Sequence, residues 1–207
     1  MKPFYHNAFV LAAALAFSSS AWGHHPKGGE TPSTLWQGLL SGLGHPILGI
    51  DHLAFIIAIG LLSALIRLRS PACPLILVAA TVLGATLQWT GVNLPYVEAM
   101  VTTSVVVAGV MIYRTPKQLK IIGIAGIFAA IYHGMAYGEA IIGAETAPLA
   151  AYLLGFCLIQ IAIAGVAFMA GRWLLFKEPS LPRLVRGLSA GMISGIGLIA
   201  LSSIIFS

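Results

Sequence analysis

The feature that most limits what this chain can become is a succession of long apolar stretches with almost no charge inside them. They run approximately over residues 46–66, 74–92, 95–113, 119–142, 148–176 and 184–206. A helix that crosses a bilayer needs about 20 mostly apolar residues. The pattern therefore predicts an all-α membrane protein, a bundle of about six transmembrane helices with no length left for a soluble domain. Only 8% of the 207 residues are charged, against about a quarter in a typical soluble domain. Pro46, Pro74, Pro95 and Pro148 stand at the starts of their blocks, where a missing backbone donor costs nothing. The fifth block is overlong and is expected to tilt or to extend past the lipid.

Residues 1–23 have the layout of a cleavable signal peptide: Lys2 in a short polar start, an apolar run over 8–17, and small residues ahead of His24. Cleavage is expected after Gly23, and the small-residue rule also permits it after Ala21. The mature chain then begins outside with a periplasmic segment, residues 24–45, followed by the six-helix domain over 46–207. In that topology Arg67 and Arg69, then Arg114, Lys117 and Lys120, then Arg172, Lys177, Arg183 and Arg186 all face the cytoplasm, which leaves only Lys2 and Lys27 elsewhere. This asymmetry is the positive-inside rule. It predicts a multi-pass protein of the bacterial inner membrane with both mature termini in the periplasm. The net charge of +5 is scattered between apolar blocks, so it orients the chain in the lipid bilayer and forms no nucleic-acid patch. Cys73 and Cys157 lack CxxC spacing and read as small core residues. Three spans followed by three would permit two inverted halves, but scanning the sequence reveals no convincing internal repeat.

Charge and imidazole inside hydrocarbon are costly and mark function. Here they are His45, Asp51, His52, Glu98, His133 and Glu139, and the topology puts them all toward the outer ends of spans. On an ideal helix His45 and His52 share a face but lie about 10 Å apart along the axis, too far to touch one ion. Either the segment is not regular helix, which Gly44, Pro46 and Gly49 allow, or the two imidazoles serve different steps. His133 and Tyr137 share a helix face, and Glu139 projects elsewhere unless the chain bends. Imidazole with carboxylate suits nickel, cobalt, zinc or copper and disfavours hard ions. Metal-ligating candidates are thus His45, Asp51, His52, His133 and Glu139, with His24, His25, Glu98 and Tyr137 as weaker ones. Asp51 is either a ligand or the group that orients one. Glu98 reads equally well as a helix-dipole partner. Gln88 and Gln160 read as interhelical hydrogen-bond donors.

His45-Pro46-x-x-Gly49-x-Asp51-His52 resembles the first signature of the HupE/UreJ family of nickel and cobalt permeases. Tyr132-His133-Gly134-x-Ala136-x-Gly138-x-Glu139 resembles the second. The resemblance covers essentially the whole chain. It implies secondary uptake of Ni²⁺ or Co²⁺, with His45, Asp51, His52, His133 and Glu139 as functional positions and no prosthetic group. Family members commonly carry histidine where this chain has Tyr137, so coordination number or metal preference is expected to differ.

No GxxxxGK[ST] motif is present in the sequence, so a secondary transporter, not an enzyme, is the leading expectation. A membrane potential alone contributes about 4.6 kcal/mol per divalent cation at 100 mV, twice the value for one charge. The alternative is an intramembrane zinc hydrolase, with His45, His52 and His133 as ligands and Asp51 or Glu139 activating water. A third class, a haem carrier, would place His52 and His133 on opposite sides of the ring.

Overall fold

The computed structural model describes residues 31–66, 72–114, 119–139, 141–177 and 181–206. The expected signal peptide, His24 and His25 lie outside the described residues. Among those residues there is no strand, and seven helices follow one another. They are α1 (Leu35–Leu48), α2 (Ile50–Leu65), α3 (Ala72–Trp89), α4 (Val97–Arg114), α5 (Leu119–Glu139), α6 (Thr146–Lys177) and α7 (Leu181–Ile205).

The first helix begins at Leu35, not at the expected Pro46. Thr34 caps it by accepting the Gln37 N–H at 3.2 Å, and Gln37 Oε1 accepts the Ser33 N–H at 2.9 Å. This exchange is a close variant of the capping box. Pro46 instead lies inside the last turn of α1, where its ring and missing donor weaken the helix. Gly49 then turns extended, at φ −78° and ψ 100°, and α2 departs at 79° to α1. Of the two options left open by the sequence, the irregular one is realised.

Four helices, α4 to α7, are long and apolar enough to cross a membrane singly, and the bent pair α1 and α2 makes a fifth if it is one span. The apolar part of α3, Pro74–Trp89, falls short of that length. The expected count of about six is therefore not reached on length and composition, because one block is broken and another is short. The overlong fifth block is a single helix of 32 residues, α6. α3 ends where Gly91, at φ 84°, lets the Val92 N–H reach back to the Leu87 carbonyl at 3.0 Å, the Schellman arrangement.

Without a hydrophobic drive between helices in lipid, close backbone approach carries the packing, and three helix pairs show it. α1 runs parallel to α6: a Cβ on Gly42 would strike the Tyr152 carbonyl, and one on Gly155 would strike that of Leu39. α3 runs parallel to α5: a Cβ on Gly134 would strike the Thr81 carbonyl, and one on Gly84 that of Ile131. These are the same contact made twice. Shifts of 92 residues for α1 and 71 for the second partner carry one set onto the other. In that register residues 77–87 and 148–158 share Ala79/Ala150, Ala80/Ala151, Leu83/Leu154, Gly84/Gly155 and Leu87/Leu158. α4 and α7 cross antiparallel, Gly109 on Ala190 and Ser194, Gly197 on Thr102 and Val106, so a shift of 88 residues exchanges the partners. The internal repeat missed in the sequence is thus present in the contacts.

Candidate functional site

The site begins with the break at Gly49. Because α1 ends at Leu48 and α2 leaves at a steep angle, His45 from the last turn of one and His52 from the first turn of the other converge, with ring centroids 6.2 Å apart. Gly49 has no side chain to obstruct this: a Cβ there would lie 2.7 Å from Cδ2 of His52. α5 adds His133, whose Nδ1 is 2.8 Å from Nδ1 of His52. All three imidazoles are buried, at 2%, 2% and 1% exposure for His45, His52 and His133.

Aromatic rings enclose the cluster. Phe55 stacks on His133 at 3.9 Å, and Tyr137 lies 4.3 Å from His52 and 5.2 Å from His45. Tyr152 from α6 places its hydroxyl 3.3 Å from His45 Nδ1 and donates to the Tyr137 carbonyl at 3.2 Å. Phe156 closes the group against Tyr137 at 4.5 Å. The Tyr137 hydroxyl is buried and has no hydrogen-bond partner among the described residues, a state that costs free energy unless another group occupies it. On the far side of His133, Ser104 from α4 brings its Oγ to 2.9 Å from Nε2.

The carboxylates stand apart from this arrangement. Asp51 is half-buried in the first turn of α2, and its Oδ1 accepts the His52 N–H at 2.8 Å. There it favours the helix start electrostatically and fixes the backbone that carries His52. Glu139 is the exposed last residue of α5, and Glu98 is exposed in the first turn of α4. Among the described residues no group of three His, Cys, Asp or Glu side chains is positioned to hold a metal ion. The structure therefore brings together His45, His52, His133 and Tyr137, and leaves Glu98 and Glu139 outside. Tyr152 and Ser104 were not foreseen. A serine hydroxyl in a membrane helix is unremarkable in sequence, since it can bond its own backbone, a tyrosine reads as one more aromatic, and only the helix register shows where these two point.

Gln160 meets its expectation, reaching from α6 to Thr81 on α3 at 3.2 Å, whereas Gln88 bonds Asn93 just beyond its own helix at 3.3 Å. An apolar cavity of about 340 Å³ adjoins the cluster, lined in part by Phe55, Ser104, Ile59, Met111, Ile122 and Gly126.

A sequence profile of the HupE / UreJ protein family matches residues 11–200. The chain belongs to the HupE/UreJ family. A relative in Rhizobium leguminosarum bv. viciae, Protein HupE, is 27% identical over 140 residues, which cover 63% of this chain and 68% of the relative. No solved structure matches. Both His-bearing segments, residues 45–52 and 132–139, fall within the stretch that matches the HupE/UreJ profile and supply the buried cluster, and Tyr137 from the second packs on His45 and His52 from the first.

Proposed function

We propose that this protein takes up a divalent transition metal ion, Ni²⁺ or Co²⁺, across the bacterial inner membrane as a secondary transporter. The observation that carries the reading is the convergence of three buried imidazoles from α1, α2 and α5 inside a membrane bundle. Broken membrane helices that meet near the centre of a bundle are where transporters bind their cargo, and the break at Gly49 delivers two of the three rings.

The donor set bears on the cargo: three imidazoles beside carboxylates suit borderline ions such as nickel and cobalt better than hard ones such as magnesium or calcium. Asp51 enters as a group that orients or receives the ion beside His52, Glu139 as one that receives it outside the cluster, and His24 and His25 as capture groups at the outer mouth. No prosthetic group is needed. The hydrolase alternative gains no support from the family or from the cavity, whose lining is apolar.

The helix pairings support six crossings, with α3 as a short one. In a six-span chain that alternates direction, spans one and five, and two and four, run parallel, and three and six run antiparallel. The glycine contacts of α1 with α6, α3 with α5, and α4 with α7 follow that rule. The recurring contacts then relate two inverted halves, with a signal peptide ahead of them and both mature termini in the periplasm. Reporter fusions should place residues 67–71, 115–118 and 178–180 in the cytoplasm and 90–96 outside.

The test of function is uptake of radioactive nickel and cobalt, at sub-micromolar concentration, by cells lacking their own transporters. Wild type should accumulate one of them, and His52→Ala and His133→Ala should abolish the signal at matched membrane abundance. Failure of wild type to exceed empty-vector cells with both metals would sink the reading.

A further inference from the structure

We infer that Ser104 is a positioning residue that fixes the tautomer of His133 and turns its Nδ1 toward the cation. This deepens the transport reading and rests on it. The argument is a count of hydrogens. The Ser104 hydroxyl has one proton, and Oγ lies 2.6 Å from the Val101 carbonyl, a group that can only accept. That short bond takes the proton. The contact of 2.9 Å between Oγ and His133 Nε2 can then exist only with Nε2–H as the donor and Oγ as the acceptor.

A neutral imidazole carries one N–H, so with Nε2 protonated His133 presents a lone pair at Nδ1. The partner of that lone pair is Nδ1 of His52, 2.8 Å away, and two lone pairs cannot face each other at this distance. His52 must therefore donate from Nδ1. Hydrogens run in one direction from His52 through His133 and Ser104 to the Val101 carbonyl, across α2, α5 and α4. An imidazole that binds a metal through one nitrogen is oriented by a bond from its other N–H, and Ser104 is the acceptor of that bond. Stacking of Phe55 on the His133 ring at 3.9 Å limits the ring's freedom to turn away. For the cation to take Nδ1 of His133, the His52 ring would have to turn its N–H away, His52 keeping its proton, so that a hydrogen bond at His133 Nδ1 is exchanged for a metal bond.

The chain of bonds is readable without metal. In protein labelled with ¹⁵N-histidine and purified in detergent at neutral pH, the His133 signals, assigned by their loss in His133→Gln, should report the Nε2–H form. Ser104→Ala should lose that preference, and Ser104→Thr, which keeps the hydroxyl, should retain it. In uptake, Ser104→Ala should raise the apparent KM for the metal about tenfold, the lower end of what loss of such an orienting partner costs, and Ser104→Thr should stay near wild type. An Nδ1–H form of His133 in wild type, or unchanged tautomer and KM in Ser104→Ala, would overturn the inference. Should the tautomers follow this order while wild type moves neither nickel nor cobalt, it is the transport reading that fails and the role of Ser104 in orienting His133 that stands.

Discussion

Single side chains here divide into those whose chemistry advertises them and those that matter through register. His45, His52 and His133 were legible because imidazole is conspicuous in an apolar sequence, and all three meet in the interior. Tyr137 draws notice as a helix-face neighbour of His133 and as a departure from a family habit, and neither signals that its hydroxyl is buried without a hydrogen-bond partner among the described residues. A buried polar group left unpaired costs about 1–3 kcal/mol. Tyr137→Phe should therefore leave metal-free stability unchanged or raise it by about 1 kcal/mol, read as a higher unfolding temperature in detergent. The same substitution should weaken metal uptake if the hydroxyl completes the cation's surroundings. Tyr152, by contrast, bonds both His45 and the Tyr137 carbonyl, and nothing in its sequence neighbourhood signals this.

At the scale of elements, the sequence places six apolar blocks well and misjudges where the first helix starts. Proline at a block's edge reads as a helix beginning, but a proline in the last turn of a preceding helix has the same neighbours. Thr34 and Gln37 carry the true start signal, and they precede the apolar block, so a search for apolar length passes over them. The consequence centres on Gly49. Its φ and ψ suit any residue, so Gly49→Ala should leave the backbone and the fold intact while its Cβ pushes the His52 ring aside. We expect metal uptake to fall by about tenfold or more with membrane abundance and unfolding temperature held. Loss of the protein from the membrane would instead mean that the break itself depends on glycine.

For the whole molecule, the repeat is faint in sequence because few residue types enforce it: in the two parallel pairs, a glycine three residues after the one whose own carbonyl meets the partner's glycine, set in helices otherwise free to vary. Contacts of this kind, backbone against backbone, leave no compliant side chain to absorb sliding. We expect α1 with α6, α3 with α5 and α4 with α7 to move as three bodies, with α2 fastened to the first of them, since a Cβ on Gly60 would strike the Ala164 carbonyl. Any motion that passes an ion must be slip or rotation at the seams between those bodies. His52 stands on one side of such a seam and His133 on the other, so their shared hydrogen is also a latch. With Cys73 and Cys157 replaced, cysteines at Ile59 and Ala129, which line the same cavity from α2 and α5, should stop uptake once bridged by a short bifunctional reagent. The same reagent joining Leu77 to Gly126, within the α3–α5 body, should leave it running. Freight in this molecule would move only when the bodies part, and the tightest glycine contacts mark where they never do.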